Sequence, residues 1–258
     1  MELWTQEHKL QLIPSLIVML ALAVLLRCLI GKKDRKIRMI PFQILACVIV
    51  LLEIGKQWYS LANGYDLYHL PFHFCSLFIF MLPIMSFYNG KHRRTVTAIT
   101  SAISAAMFLL MVIYPNLIYG AWNIRDYFKG YLDFHTVTFH NVVMMEFLLI
   151  VFLDLHDPAP KGEVRSCIWF TCGFCAVSAS MAHILKTNYA NFYSCNIPPL
   201  EAVRLSMQGV IGVVPTQIVY VLIVSALNIL FVMGAYWFYR LTRRLLTKKA
   251  EEAVVPAE

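Results

Sequence analysis

Charge is scarce along this chain. Only 14% of its 258 residues are Asp, Glu, Lys or Arg, and the 15 acidic residues are outnumbered by 22 Lys and Arg. A soluble globular domain carries about 25% charged residues, so that class is excluded by composition. Nor is there an internal repeat, or any long polar stretch that would form a second, soluble domain. A cleavable signal is also missing: the leading apolar segment is too long, its positive charges follow it, and no small-residue cleavage site ends it. The seven cysteines are odd in number and show no disulfide framework.

What is present is apolar length. The chain is 59% hydrophobic, with a mean hydropathy of +0.64. Crossing a hydrocarbon core of about 30 Å takes about 20 apolar residues as a helix. Seven windows meet that requirement: Leu10–Ile30, Ile40–Leu61, Leu70–Tyr88, Val96–Tyr114, His135–Leu153, Cys167–Leu185 and Val213–Tyr239. The expected architecture is all-α, a single polytopic bundle of seven transmembrane helices over 1–245. The charged tail at 246–258 is expected to be disordered.

Lys and Arg set the expected orientation. They crowd the first connection, "GKKDRKIR", the third, "NGKHRR", the fifth with Lys161 and Arg165, and the tail from Arg240 onward. Facing them are only Lys9, Arg125, Lys129, Lys186 and Arg204, an imbalance of roughly three to one that places the N-terminus outside and the C-terminus in the cytoplasm. The net charge of +7 is thereby explained by topology and by anionic lipid, and no nucleic-acid partner is needed.

Polar residues then collect at one level. Glu53, Lys56 and Gln57 fall in the outer half of the second helix, and His69, His73 and Cys75 open the third. Asp133, His135, His140 and Asn141 open the fifth; His183, Lys186, Asn188 and Tyr189 close the sixth. Ionisable groups at membrane depth cost about 2.5–3.5 kcal/mol each unless they pair, share a cavity or do chemistry. Their convergence implies a polar pocket opening outward.

Within that pocket Cys75 is the candidate nucleophile. Pro71 suits a first helical position and puts Cys75 near a helix N-terminus, where the dipole favours a thiolate. On a regular helix His73 and Cys75 point about 200° apart, so the base must come from elsewhere, His140 or His183. Competing readings stand beside this one. Cys75 can be a packing residue. His69 and His73, at i and i+4, can hold a metal with a third ligand, although Pro71 intervenes and His135 and His140 diverge at five apart. Glu53 and Lys56 can be a structural ion pair, and His135 a helix cap. Cys172 and Cys175 have redox C-x-x-C spacing but lie among small residues suited to helix packing. The long loop "LKTNYANFYSCNIPPLEAV" is a lid over the pocket or an interfacial anchor.

Three stretches carry a family resemblance: "LPFHFCSL", "FHNVVMM", and "NYANF" followed by a proline-containing loop. They resemble the YwaF-like integral membrane proteins of bacteria, which are related to vertebrate transmembrane protein 164, described as a cysteine-dependent phospholipid acyltransferase. The resemblance implies acyl transfer between phospholipid and lysophospholipid in the lipid bilayer of a bacterial plasma membrane, without a cofactor. Cys75 would be the nucleophile and His140 the base, with His183 in reserve. His73, Glu53, Lys56, Asn141, Lys186, Asn188 and Tyr189 would line the substrate. Here Phe139 and Asn141 flank the histidine, where bacterial relatives tend to have Ser and Gly. A non-catalytic seven-helix binding or transport protein with the same outward pocket, holding a small anion or a metal, is the alternative.

Overall fold

A computed structural model describes residues 3–119, 125–156, 158 and 162–252, the side chains of 247–252 excepted. Its regular elements among these residues are helices: α1 (Gln6–Ile30), α2 (Arg35–Ala62), α3 (Leu77–Phe87), α4 (Arg93–Ile113), the single turn α5 (Pro115–Ile118), α6 (Tyr131–Phe152), α7 (Gly162–Ile184), α8 (Pro198–Ile211) and α9 (Val213–Glu252), with 3-10 turns at Leu67–His69 and Tyr189–Asn191. Six of them, α1, α2, α4, α6, α7 and α9, are long and apolar enough to cross a membrane. The protein is an all-α polytopic membrane protein. Helix α9 runs to Glu252, and the rest of the tail, 253–258, lies outside the described residues.

Helix α6 is the axis of the bundle. It packs against α1, α2, α4 and α9, and from Val142 to Val151 every side chain is buried. Apart from the buried Glu146 this stretch is apolar on all faces, and such a helix has to be central, because no side of it prefers a polar surround. Helix α4 packs on α9, α6, α7 and α3 and buries small residues, Ala98, Ala102, Ala105 and Ala106, of the kind that let backbones approach where lipid offers no hydrophobic drive. Its buried hydroxyls bond backward to their own helix, Thr100 Oγ1 to the Val96 carbonyl at 2.9 Å and Ser101 Oγ to that of Thr97 at 2.7 Å, so they add no unpaired group. Helix α2 lies close on α6: a Cβ on Gly55 would lie 2.0 Å from the Tyr131 hydroxyl, which donates to the Leu52 carbonyl at 3.1 Å.

The third expected helix, Leu70–Tyr88, is corrected. Its helical part is the 11 residues of α3, about 16 Å of rise, only half of a core of about 30 Å. Two prolines, Pro71 and the intrahelical Pro83, disfavour a continuous helix. Residues 70–76 instead run in irregular backbone anchored to the middle of α7: Ser178 Oγ donates to the Phe72 carbonyl at 2.7 Å, and the Phe74 and Phe174 rings meet edge-to-face at 5.7 Å. Irregular backbone survives at such depth only when it is enclosed by protein or borders a cavity.

Candidate functional site

A cavity of about 930 Å³ borders that irregular segment. Its polar wall is formed by Glu53 and Lys56 of α2, His69, His73, Cys75 and Ser76 of the segment before α3, and His135, Thr136 and His140 of α6. Asn188, Asn191, Cys195, Asn196 and Arg204 close it from the α7–α9 connection. The apolar wall includes Met107, Leu110 and Phe139, and a stripe of α9 at helical spacing, Val219, Ile223, Leu227 and Phe231. The last three also have exposed surface, so the cavity's apolar side is continuous with the face that α9 presents outward. An apolar cavity with a few convergent polar groups is the usual form of a ligand site.

The break in the third helix decides where Cys75 goes. It lies in a turn two residues before α3, so Pro71 is not a first helical residue, and the neighbouring Phe74 ring meets Phe174 of α7. The same irregular backbone removes the regular-helix separation of His73 and Cys75, and both border the cavity. Cys75 is a free, half-buried thiol.

His140 is 6% exposed. Its Nδ1 lies 2.6 Å from the Thr136 carbonyl, an acceptor, so Nδ1 carries the proton and Nε2 is the basic nitrogen of the neutral ring. That Nε2 is buried without a hydrogen-bond partner. Tyr119, 1% exposed, packs edge-on against the ring at 5.6 Å and donates to Asn141 Oδ1 at 3.4 Å. Asn141 thus fixes the wall behind His140 and is not among the cavity-lining residues.

Glu53 sits in an organised cradle. Lys56 Nζ is 2.8 Å from Oε2, Gln57 donates to Oε1 at 2.7 Å and to the His69 carbonyl at 2.9 Å, and Tyr65 donates to Gln57 at 2.6 Å. His135 Nε2 stands 3.7 Å from the same carboxylate and makes no hydrogen bond. Read in sequence as a cap candidate, His135 is 7% exposed and borders the cavity together with His140, although five residues separate them. Among the described residues no group of three His, Cys, Asp or Glu could hold a metal ion; His69 Nδ1 pairs with Ser60 Oγ at 2.7 Å, and His73 Nε2 with the Tyr68 carbonyl at 3.1 Å.

The remaining expected residues scatter. His183 is outside the cavity lining and accepts from Gln217 Nε2 at 3.3 Å, with the Tyr193 ring 5.6 Å away. Lys186 is exposed at the end of α7 with φ +52° and does not reach the cavity lining. Tyr189 is fully buried behind the wall; its hydroxyl donates to the Leu67 carbonyl, and its ring packs on His73 at 5.3 Å, so it holds the His73 segment. Asn188 borders the cavity and braces the loop by donating to Asn196 Oδ1 at 3.0 Å.

Sequence reading did not foresee α8, which replaces much of the expected loop. It carries Arg204 into the cavity lining, where Arg204 Nε donates to Glu201 Oε2 at 2.8 Å and its guanidinium to Gln217 Oε1 at 3.2 Å. That guanidinium holds the Glu201 carboxyl below its ordinary range. The signal was there in "PPLEAVRLSMQGVI": a proline start with apolar residues at i, i+3 and i+7. Neither a curated protein nor a solved structure matches the chain. The model of the TMEM164 family matches residues 3–239, nearly the whole chain, and the chain belongs to the TMEM164 family.

Proposed function

We propose that the protein is a membrane acyltransferase that moves a fatty acyl chain between phospholipid and lysophospholipid through an acyl-cysteine at Cys75. The observation that carries this reading is one cavity bordered by both Cys75, a free thiol, and His140, whose buried Nε2 has no hydrogen-bond partner. A cysteine with an oriented imidazole is the arrangement thioester chemistry needs. In this reading His140 Nε2 takes the thiol proton and the thiolate attacks the ester carbonyl carbon. The carbonyl re-forms as the carbon–oxygen bond to glycerol breaks, and His140 returns the proton to the leaving alkoxide. Acyl-Cys75 and a lysophospholipid result. The second half repeats these steps in reverse with another lysophospholipid hydroxyl, so one imidazole serves both directions.

The two-sided lining supports a lipid. Glu53, Lys56, His69, Asn191 and Arg204 offer polar contacts for a headgroup and glycerol, while the α9 stripe offers the acyl chain an apolar wall open along its length. His183 is engaged with Gln217, which leaves proton transfer to His140. Topologically, the arginine-rich end of the bundle faces the cytoplasm and the cavity mouth faces outward across a plasma membrane.

The test is intact and peptide mass spectrometry of the protein in phospholipid nanodiscs, for wild type, Cys75→Ser and His140→Ala. An acyl mass on the Cys75 peptide in wild type, absent from Cys75→Ser and strongly reduced in His140→Ala, is expected. A wild type that never gains an acyl group, even from an activated ester, would leave Cys75 as a packing residue and favour a non-catalytic lipid-binding protein.

A further inference from the structure

Acyl transfer at Cys75 needs more than a nucleophile and a base, because attack on an ester puts a full negative charge on the carbonyl oxygen. Among the cations that border the cavity, Lys56 and Arg204 are each engaged by a carboxylate. The backbone supplies the donors. Leading into α3, Ser76 N–H bonds to the His73 carbonyl at 3.0 Å, Leu77 to Phe74 at 3.3 Å and Phe78 to Cys75 at 3.1 Å. The first bonded donor of this run is therefore Ser76. The N–H groups of Phe74 and Cys75 precede it and donate to no other residue among those described. They belong to the turn that leads into α3 and lie ahead of its first bonded donor.

An unpaired N–H at membrane depth is costly, and two in succession are retained only where a cavity is beside them. Phe74, Cys75 and Ser76 all border the cavity. So does His140, a 6% exposed side chain whose Nε2 has no hydrogen-bond partner. Nucleophile, base and the two amides thus belong to residues that border one cavity.

We propose that the backbone amides of Phe74 and Cys75 form the oxyanion hole for acyl transfer at Cys75, an inference that rests on the acyl-transfer reading above. As the sulfur–carbon bond forms, the π pair of the carbonyl moves onto oxygen, and that oxygen accepts from the two amides. When the carbon–oxygen bond to glycerol breaks, the pair returns, the carbonyl re-forms, and the alkoxide takes the proton held on His140. The broken third helix is then required by the chemistry, since a continuous helix through Leu70–Tyr88 would consume both donors in its own ladder.

The test deletes one donor and nothing else. The α-hydroxy analogue of phenylalanine, incorporated at position 74 of the full chain in nanodiscs, replaces the amide by an ester and removes the N–H. A p-nitrophenyl fatty ester reports acylation of Cys75, and iodoacetamide reports alkylation of the same thiol by a displacement that has no oxyanion. An ester at Ile79, whose N–H is bonded to the Ser76 carbonyl at 3.1 Å, controls for lost backbone bonding. Acylation is expected to fall about 10²–10³-fold in the position-74 ester alone, with alkylation unchanged. Acylation equal to wild type, a parallel fall in acylation and alkylation, or an equal defect in the Ile79 ester would overturn the proposal. If wild type is alkylated at Cys75 but never acylated, the acyl-transfer reading fails and takes this inference with it.

Discussion

The two ends of the α6 helix treat their polar groups in opposite ways. Beyond its C-terminus, the carbonyls of Leu153, Asp154 and Leu155 each have an arginine donor: Arg38 at 2.7 and 3.1 Å, and Arg35 at 2.9 Å. The Asp154 carboxylate is held between Arg27, at 2.7 Å, and Arg243. Next to it Glu163 takes Arg94 at 2.7 Å, Tyr236 at 2.7 Å and His156 at 3.1 Å. Toward its N-terminus, His135 and His140 leave Nε2 atoms bare, and the neighbouring segment leaves amides bare. Arginines from four helices bond one end, and the other keeps two imidazole nitrogens without a hydrogen bond. On the acyl-transfer reading proposed above, stability and reactivity are divided between the ends, as expected where a site stores unsatisfied groups and the scaffold compensates elsewhere.

The largest test of that division is His140→Gln. It keeps a polar side chain of similar size but no basic nitrogen, and acylation of Cys75 should fall about 10²–10⁴-fold while the melting temperature in detergent stays near wild type. A large loss of stability with little loss of acylation would invert the comparison. The complementary change is Asp154→Asn at the other end. Its φ of +51° suits Asn as well as Asp, so the substitution removes charge without adding strain. Because Asp154 and Arg27 are 35% and 42% exposed, the full value of a buried ion pair does not apply, and a loss of about 2 kcal/mol is expected. Thermal unfolding should report it, with acylation per folded molecule unchanged.

How far the sequence reveals this division differs by element. The six long spans and the depth-sorted polar residues follow from apolar run length and from the cost of charge in hydrocarbon, which act locally and leave a trace in composition. That Glu53, Lys56, His73, Cys75, His140 and Asn188 border one cavity was legible for the same reason. The broken third helix was not. "LPFHFCSLFIF" is apolar throughout, and nothing in hydropathy separates a half-length helix plus an enclosed coil from a full span; Pro71 was the available signal, and it suits a helix start as well as a break. His183, Lys186 and Tyr189 share the right depth with the site, but rotation about α7 and the turns with positive φ at Lys186 and Ala190 decide their direction. Single-chain periodicity does not carry that information. Arg204 was missed because a loop was expected where α8 forms.

Gly55 sharpens the comparison from the side, since it lies between Glu53 and Lys56 in the chain yet its role is packing. Gly55→Ala drives a methyl into the Tyr131 hydroxyl and should cost about 1–3 kcal/mol. Tyr131→Phe makes the room, at the expense of the bond to Leu52. The double variant should be more stable than the sum of the single changes predicts, with a coupling of about 0.5–3 kcal/mol in thermal unfolding. Additive effects would mean that α2 and α6 move apart freely, and the cavity wall they share would then be soft.

The smallest expected effect is the most pointed. Tyr119 touches His140 in two separable ways, through its ring edge at 5.6 Å and through a long hydrogen bond to the neighbouring Asn141 at 3.4 Å. Tyr119→Phe keeps the first and deletes the second. A hydrogen bond at that length is weak, and Asn141 Oδ1 is half-buried in a wall where rearrangement is easy, so the loss should be under about 1 kcal/mol in stability. Tyr119→Leu removes the ring, and with it the packing that limits rotation of the imidazole about its bond to Thr136. If the reactive end depends on an immobilised base, acylation should drop clearly more in Tyr119→Leu than in Tyr119→Phe, while the alkylation rate of Cys75 by iodoacetamide stays the same in both. Equal acylation in the two variants would show that the Thr136 carbonyl alone orients His140, and that the tight aromatic packing around it belongs to the scaffold.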